Sequence, residues 1–135
     1  MNRLSKLCIK VLLISALLTV PLSGTILASD NTIDIVVSPH VLNIESNGGS
    51  ISVHTDIGYV SPEDAVLKVD GTTIEEIWTF TDTSGNLVVK CSIDTVKDIV
   101  IGKEEATFVL TANYNGETYT GTDTIDVIQV IPQKS

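Results

Sequence analysis

Beyond residue 30 the apolar residues recur with a period of two, and turn-forming residues interrupt the alternation every few positions. That is the pattern of short, half-buried β-strands. Ile33, Ile35 and Val37 alternate as far as Pro39. Leu42 and Ile44 resume the pattern, and Ser46-Asn47-Gly48-Gly49 forms a turn. Ile51, Val53, Thr55 and Ile57 then share one strand face, with Ser50, Ser52, His54 and Asp56 on the other. Ser61-Pro62-Glu63-Asp64 is a helix-start signal, with a hydroxyl cap, proline at the first helical position and acids in the first turn. Only a single turn fits, because Ala65, Leu67 and Val69 return at once to strand spacing and Asp70-Gly71 ends them.

The next strand is predicted from about Ile74 to Thr81 and carries Trp78 and Phe80. Asp82-Thr83-Ser84-Gly85 turns into a strand in which Leu87, Val89, Cys91 and Ile93 face one way and Val88, Lys90 and Ser92 the other. A short helical turn is predicted over Thr95 to Val100. Phe108, Leu110, Ala112 and Tyr114 lead to Asn115-Gly116, whose residues suit the left-handed angles of a type I′ turn. A loop of this type fixes register, so Tyr119 is predicted opposite Ala112 and Gly121 opposite Leu110. The return strand carries Tyr119, Ile125, Val127 and Ile128.

About seven strands with one apolar face each need a second sheet to cover them, so the predicted fold is an all-β two-sheet sandwich, with a small closed barrel as the second solution. The first 28 residues have the layout of a secretory signal: Arg3, Lys6 and Lys10, an apolar run from Val11 to Val20, then Pro21, Ser23-Gly24 and Ala28. The expected organisation is a signal peptide over 1–28 and one β-sandwich domain over 29–135, secreted or at the cell surface. An uncleaved leader acting as a membrane anchor is the alternative. All 17 acids follow the leader, against only Lys68, Lys90, Lys97, Lys103 and Lys134, which leaves the exported part at −12. Such a surface repels nucleic acid and anionic lipid. Of the two cysteines, Cys8 lies in the leader, so Cys91 has no intrachain partner after processing, and stability must come from packing.

Three stretches occur in a telling order: "SPHVLNIESNGGSISVHTDI" from Ser38 to Ile57, "DTSGNLVVKCSIDTV" from Asp82 to Val96, and "NGETYTGTDTIDVI" from Asn115 to Ile128. Together they resemble an immunoglobulin-like module of secreted and cell-surface proteins of bacteria and archaea. The resemblance covers roughly Ile33 to Val130 and rests mainly on core and turn positions. It implies an immunoglobulin-like sandwich with an extracellular accessory or structural role, and it supplies no catalytic residues. Cys91 stands where those modules usually have phenylalanine, which implies a buried position. Their aspartate-rich turn is reduced here to Asp82, Ser84 and Asn86, which weakens the case for calcium.

The residues themselves offer little chemistry. Asp82 to Asn86 has oxygen ligands at alternate positions, but glycine comes early and no bidentate glutamate closes a calcium loop. His40 and His54 have no close-spaced ligand partner for zinc. No nucleophile elbow of the G-x-S-x-G type is present. Glu75 and Glu76, taken as adjacent strand residues, would point to opposite faces and could not flank one glycosidic bond. Trp78 is expected in the core, as a sandwich of this kind usually spends its tryptophan there. Asp123 shares strand parity with Ile125 and Val127, so a partly buried carboxylate bonded to nearby amides is expected. The expectation is therefore a non-enzymatic module with no catalytic, metal-binding or cofactor-binding residues and no cofactor, acting by contact with a protein or cell-envelope component. A carbohydrate- or calcium-binding accessory domain is the alternative.

Overall fold

The period-two pattern produces strands throughout the computed structural model, which describes residues 31–131. The leader expected over 1–28 and the tail at 132–135 lie outside the described residues. The strands are β1 (Ile35–Ser38), β2 (Val41–Asn43), β3 (Ser50–Gly58), β4 (Ala65–Val69), β5 (Thr72–Thr73), β6 (Trp78–Thr81), β7 (Asn86–Ser92), β8 (Glu105–Tyr114) and β9 (Glu117–Ile128). One helix, α1 (Ile93–Val100), follows β7. The strands form a four-stranded sheet ordered β1-β3-β7-β6 and a five-stranded sheet ordered β2-β9-β8-β4-β5. Packed together, they make an all-β sandwich.

Among the described residues nine strands stand where about seven were predicted, for two local reasons. The first run breaks at Pro39-His40, so β1 joins one sheet, antiparallel to β3, while β2 joins the other, parallel to β9. The second reason is Asp70-Gly71. Both residues have positive φ (50° and 86°), which makes a tight hairpin from β4 to the two-residue β5. The chain leaves the sheet after Ile74, whose N–H still bonds Leu67 O (2.9 Å). The strand predicted from Ile74 to Thr81 is thus corrected to β6 alone.

The alternating faces appear as expected. Ile51, Val53, Thr55 and Ile57 are buried, as are Ala65, Leu67 and Val69, and Phe108, Leu110 and Ala112. Thr55 is the one buried polar residue among those described. Its hydroxyl donates to Leu87 O (2.9 Å) and accepts from Ile57 N (3.3 Å), where the β3–β7 register shifts between His54 and Gly58. The side chain thus replaces ladder bonds that the irregularity removes. Asn115 and Gly116 close the β8–β9 hairpin with positive φ, and Tyr119 sits opposite Ala112 and Gly121 opposite Leu110, as predicted. Pro62–Asp64 forms a single 3-10 turn behind Ser61.

Three side-chain placements differ from expectation. The predicted turn at Thr95 to Val100 begins earlier, because the Ser92 hydroxyl accepts from Asp94 N (3.2 Å) and caps a helix that starts at Ile93. Ile93 is therefore buried from the helix, not from the strand face it was assigned to. Ile128 is exposed, since it alternates with the buried Val127 and shares the outward parity of Asp126.

Candidate functional site

Cross-strand register lays out the outer face of the four-stranded sheet. Val36, His54, Val88 and Phe80 form one row across β1, β3, β7 and β6. Ser38, Ser52, Lys90 and Trp78 form the next. Trp78 is 48% exposed and Phe80 46%, so the tryptophan expected in the core lies on the surface. The reason is parity: β6 turns Thr79 inward, towards the opposite sheet, and its two aromatics outward. The central core position goes to Phe108, which is fully buried. The Lys90 ammonium sits 5.3 Å from the Phe80 ring centroid, a cation–π contact across the β6–β7 pair.

At the start of β6 this face meets an open groove of about 650 Å³. Glu63, Glu75 and Glu76 line it together with Val66, Ile74 and Trp78. The strand-parity argument that kept Glu75 and Glu76 apart does not hold, because both lie in the irregular stretch between β5 and β6 and both border the same groove. The cue was present in the sequence: an Asp-Gly hairpin followed within a few residues by two acids that disfavour a strand interior.

Elsewhere the candidate residues have structural duties. Asp123 accepts from Val37 N through Oδ2 (2.8 Å) and from its own neighbour Thr124 N through Oδ1 (3.0 Å). The expected bonding to amides is present, and it joins β9 to the edge of β1 in the opposite sheet. His40 and His54 are exposed, His40 in the β1–β2 turn and His54 in the centre of the outer face. Among the described residues no group of three or more His, Cys, Asp or Glu side chains is placed to hold a metal ion.

The Asp82 turn is closed by its own backbone. Asp82 Oδ1 accepts from Ser84 N (2.8 Å) and Asn86 N (2.9 Å), and Asp82 O accepts from Gly85 N (3.0 Å). The Asn86 amide foremost holds this carboxyl below its usual range; desolvation opposes it, and the Ser84 amide and the nearby His54 add to the lowering. A depressed carboxylate stabilises the turn above its unfolded pKa, and that contribution fades as the pH falls through the lower folded value. Calcium should therefore raise the melting temperature little. Binding to the native state alone would add ~2.7 kcal/mol at a hundredfold excess over Kd. A thermal shift of that size, abolished in Asp82→Ala, would establish a calcium site at this turn.

Cys91 is completely buried and forms no disulfide among the described residues. Desolvation pushes its thiol up to about 11, so the side chain stays protonated at neutral pH. Native protein should label slowly with a thiol reagent and faster on denaturation. Rapid native labelling, or a dimer on non-reducing gels, would remove Cys91 from the core. Cys91→Ser should cost roughly 1–3 kcal/mol if the hydroxyl finds no acceptor. The pH dependence has a defined sign. Between about pH 9 and 11 the unfolded thiol has lost a proton that the folded one keeps, so stability falls as pH rises through that window. Cys91→Ala should lack this part of the alkaline decline, measured as urea midpoints on either side of it.

No protein-family model and no curated protein matches the chain. Among solved structures it is similar to the endo-beta-1,4-mannanase from Thermotoga petrophila, at 17% identity and a TM-score of 0.43. That match covers 76% of this chain and 20% of the mannanase, so the chain spans about a fifth of that protein's length.

Proposed function

We propose that the chain is a non-enzymatic, immunoglobulin-like module, secreted or at the cell surface, that works by contact with a protein of the cell envelope or a neighbouring cell. The strand order supports the fold assignment. With β1 and β2 together as strand A and β3, β4, β6, β7, β8 and β9 as B to G, the sheets run A-B-E-D and A-G-F-C, the latter with β5 as an added edge. This is the division of strands in immunoglobulin sandwiches.

The observation that carries the functional reading is the outer face of the four-stranded sheet. It exposes Trp78, Phe80 and Val36 around His54 and Lys90. Large aromatics left half in water on a regular sheet serve as contact residues, since they offer much apolar area at little entropic cost. A second reading is favoured by Trp78 alone: an exposed tryptophan on a flat face also suits stacking against a sugar ring.

The test is binding of the purified chain to isolated envelopes of the source cells. Protein contact predicts saturable binding that is lost when the envelopes are pretreated with protease and reduced in Trp78→Ala and Phe80→Ala. Binding that survives protease but is lost after periodate oxidation of the envelopes would replace it with the carbohydrate reading. Binding unaffected by either aromatic substitution would refute the assignment to this face.

A further inference from the structure

The four-stranded sheet has two edges, and the molecule treats them differently. At β1 the outward Val37 N–H is taken by the Asp123 carboxylate, and the segment just before it runs parallel to β9, with Ile33 N donating to Thr120 O and Thr120 N to Asn31 O (both 3.0 Å). At β6 no such cover exists among the described residues. Asp82 N points to β7, donating to Asn86 O (2.9 Å), and the β6–β7 register is unbroken from Trp78 to Thr81. Because amides alternate in direction along a strand, Trp78 and Phe80 also bond towards β7, while the N–H and C=O groups of Thr79 and Thr81 point out of the sheet. Trp78–Thr81 contains no lysine, proline or bulge, the usual devices that blunt an edge.

Three glutamates, Glu63, Glu75 and Glu76, line the groove where this edge begins, and Asp82 stands at its other end. A second copy pairing antiparallel about Thr79 would bring Asp82 opposite Glu76 of its partner, which sets like charges against each other. A basic strand meets the opposite situation: its cations face the glutamates, and one can lie over the Trp78 ring. Lys90, the cross-strand partner of Trp78, is turned to the Phe80 ring on the outer face.

We propose that β6 is a strand-addition site for an extended segment of a partner protein that carries lysine or arginine. The partner's backbone completes the ladder at Thr79 and Thr81, and its cations sit in the glutamate-lined groove. This deepens the protein-contact reading and rests on it.

Trp78 is the only tryptophan of the chain, so its fluorescence reports the site directly. The full chain is titrated with the synthetic peptide acetyl-KTVRVTVK-amide, with a counterpart carrying glutamate in place of lysine and arginine, and with a version N-methylated at alternate amides on each edge in turn. The basic peptide should change Trp78 emission saturably and bind more weakly as salt rises. The acidic one should give no change, and methylation of one edge but not the other should weaken binding about tenfold, the effect of losing one or two ladder bonds. Thr79→Pro should do the same, because its N–H is not needed by β7, while Thr79→Val should bind normally. Glu75→Gln with Glu76→Gln should weaken binding about threefold.

Equal binding of the basic and acidic peptides, indifference to methylation on both edges, or a dimer of the free chain that Thr79→Pro dissolves would overturn the proposal. The methylated peptides keep the test decisive should Thr79→Pro fail to fold. Envelope binding that still depends on Phe80 but not on Thr79→Pro would sink strand addition alone. Loss of all dependence on the aromatic face would sink the protein-contact reading itself.

Discussion

Phe108→Ala is expected to destabilise the domain by about 3–5 kcal/mol, while Phe80→Ala should change stability by no more than about 1 kcal/mol. The two residues are chemically identical and both lie on strands. Phe108 is fully buried at the centre of β8, between Val69 of β4 and Asp123 of β9 in the ladder, and its ring fills the space between the sheets. Truncation there removes the transfer energy of the ring and leaves a cavity that nine strands cannot collapse around. Phe80 loses only a half-exposed contact and the Lys90 ammonium above it. A loss of that size at Phe108 is a large share of the ~5–15 kcal/mol that holds a domain of this size. Guanidinium midpoints at unchanged slope would measure both. A similar loss at Phe80 would mean that the outer face is part of the core and is not a contact surface.

The second large effect is expected at Gly121. A Cβ placed there would lie 2.7 Å from the Ile33 carbonyl oxygen and 2.6 Å from Ile35 Cγ2. The Ile33 carbonyl is backbone that cannot swing aside, because the same residue donates its N–H to Thr120 O. Gly121→Ala should therefore cost about 1–3 kcal/mol by overpacking, and Gly121→Val more. Gly58 is the useful control. A Cβ there meets the Tyr114 ring at 2.6–2.9 Å, and a tyrosine that is only partly buried can rotate away. Gly58→Ala should cost less than Gly121→Ala. Hydrogen exchange gives a second readout, since Gly121→Ala should speed exchange at the Ile33 and Thr120 amides, whose bonds hold the first segment to β9. Unchanged protection at both would mean that the 31–33 segment does not pack on Gly121.

The Gly121 prediction depends on the close approach of β1 and its leading segment to β9, and Asp123 belongs to the same junction. Its carboxylate on Val37 N spans 86 residues of sequence. Asp123→Ala would leave that amide with no partner at a partly buried edge, which is the state β6 is in by design of the sheet.

The sequence by itself determined most of the strands, the inward faces of β3, β4 and β8, and the last hairpin. Side-chain alternation has a period of two, so a run such as Ile51-Val53-Thr55-Ile57 states which face is buried without reference to anything distant. Asn115-Gly116 likewise determines the β8–β9 register, because positive φ at two adjacent residues admits one tight turn and one set of partners. Parity also predicted the buried thiol of Cys91, and it placed Asp123 among the inward residues. Only the tertiary structure decided which sheet each strand joins and whether a strand has neighbours on both sides. That is why Trp78 lies outside and Phe108 inside: apolarity says that a residue gains from burial, but the partner sheet must be there to cover it. Glu75 and Glu76 fell together for a related reason. A strand ends where its pairing ends, and the β4–β5 ladder gives out after Ile74, whose N–H makes the last bond to β4, at Leu67 O. The open edge at β6 is of the same kind, since an unpaired amide is a property of what is absent beside it, and no local pattern of residues records that.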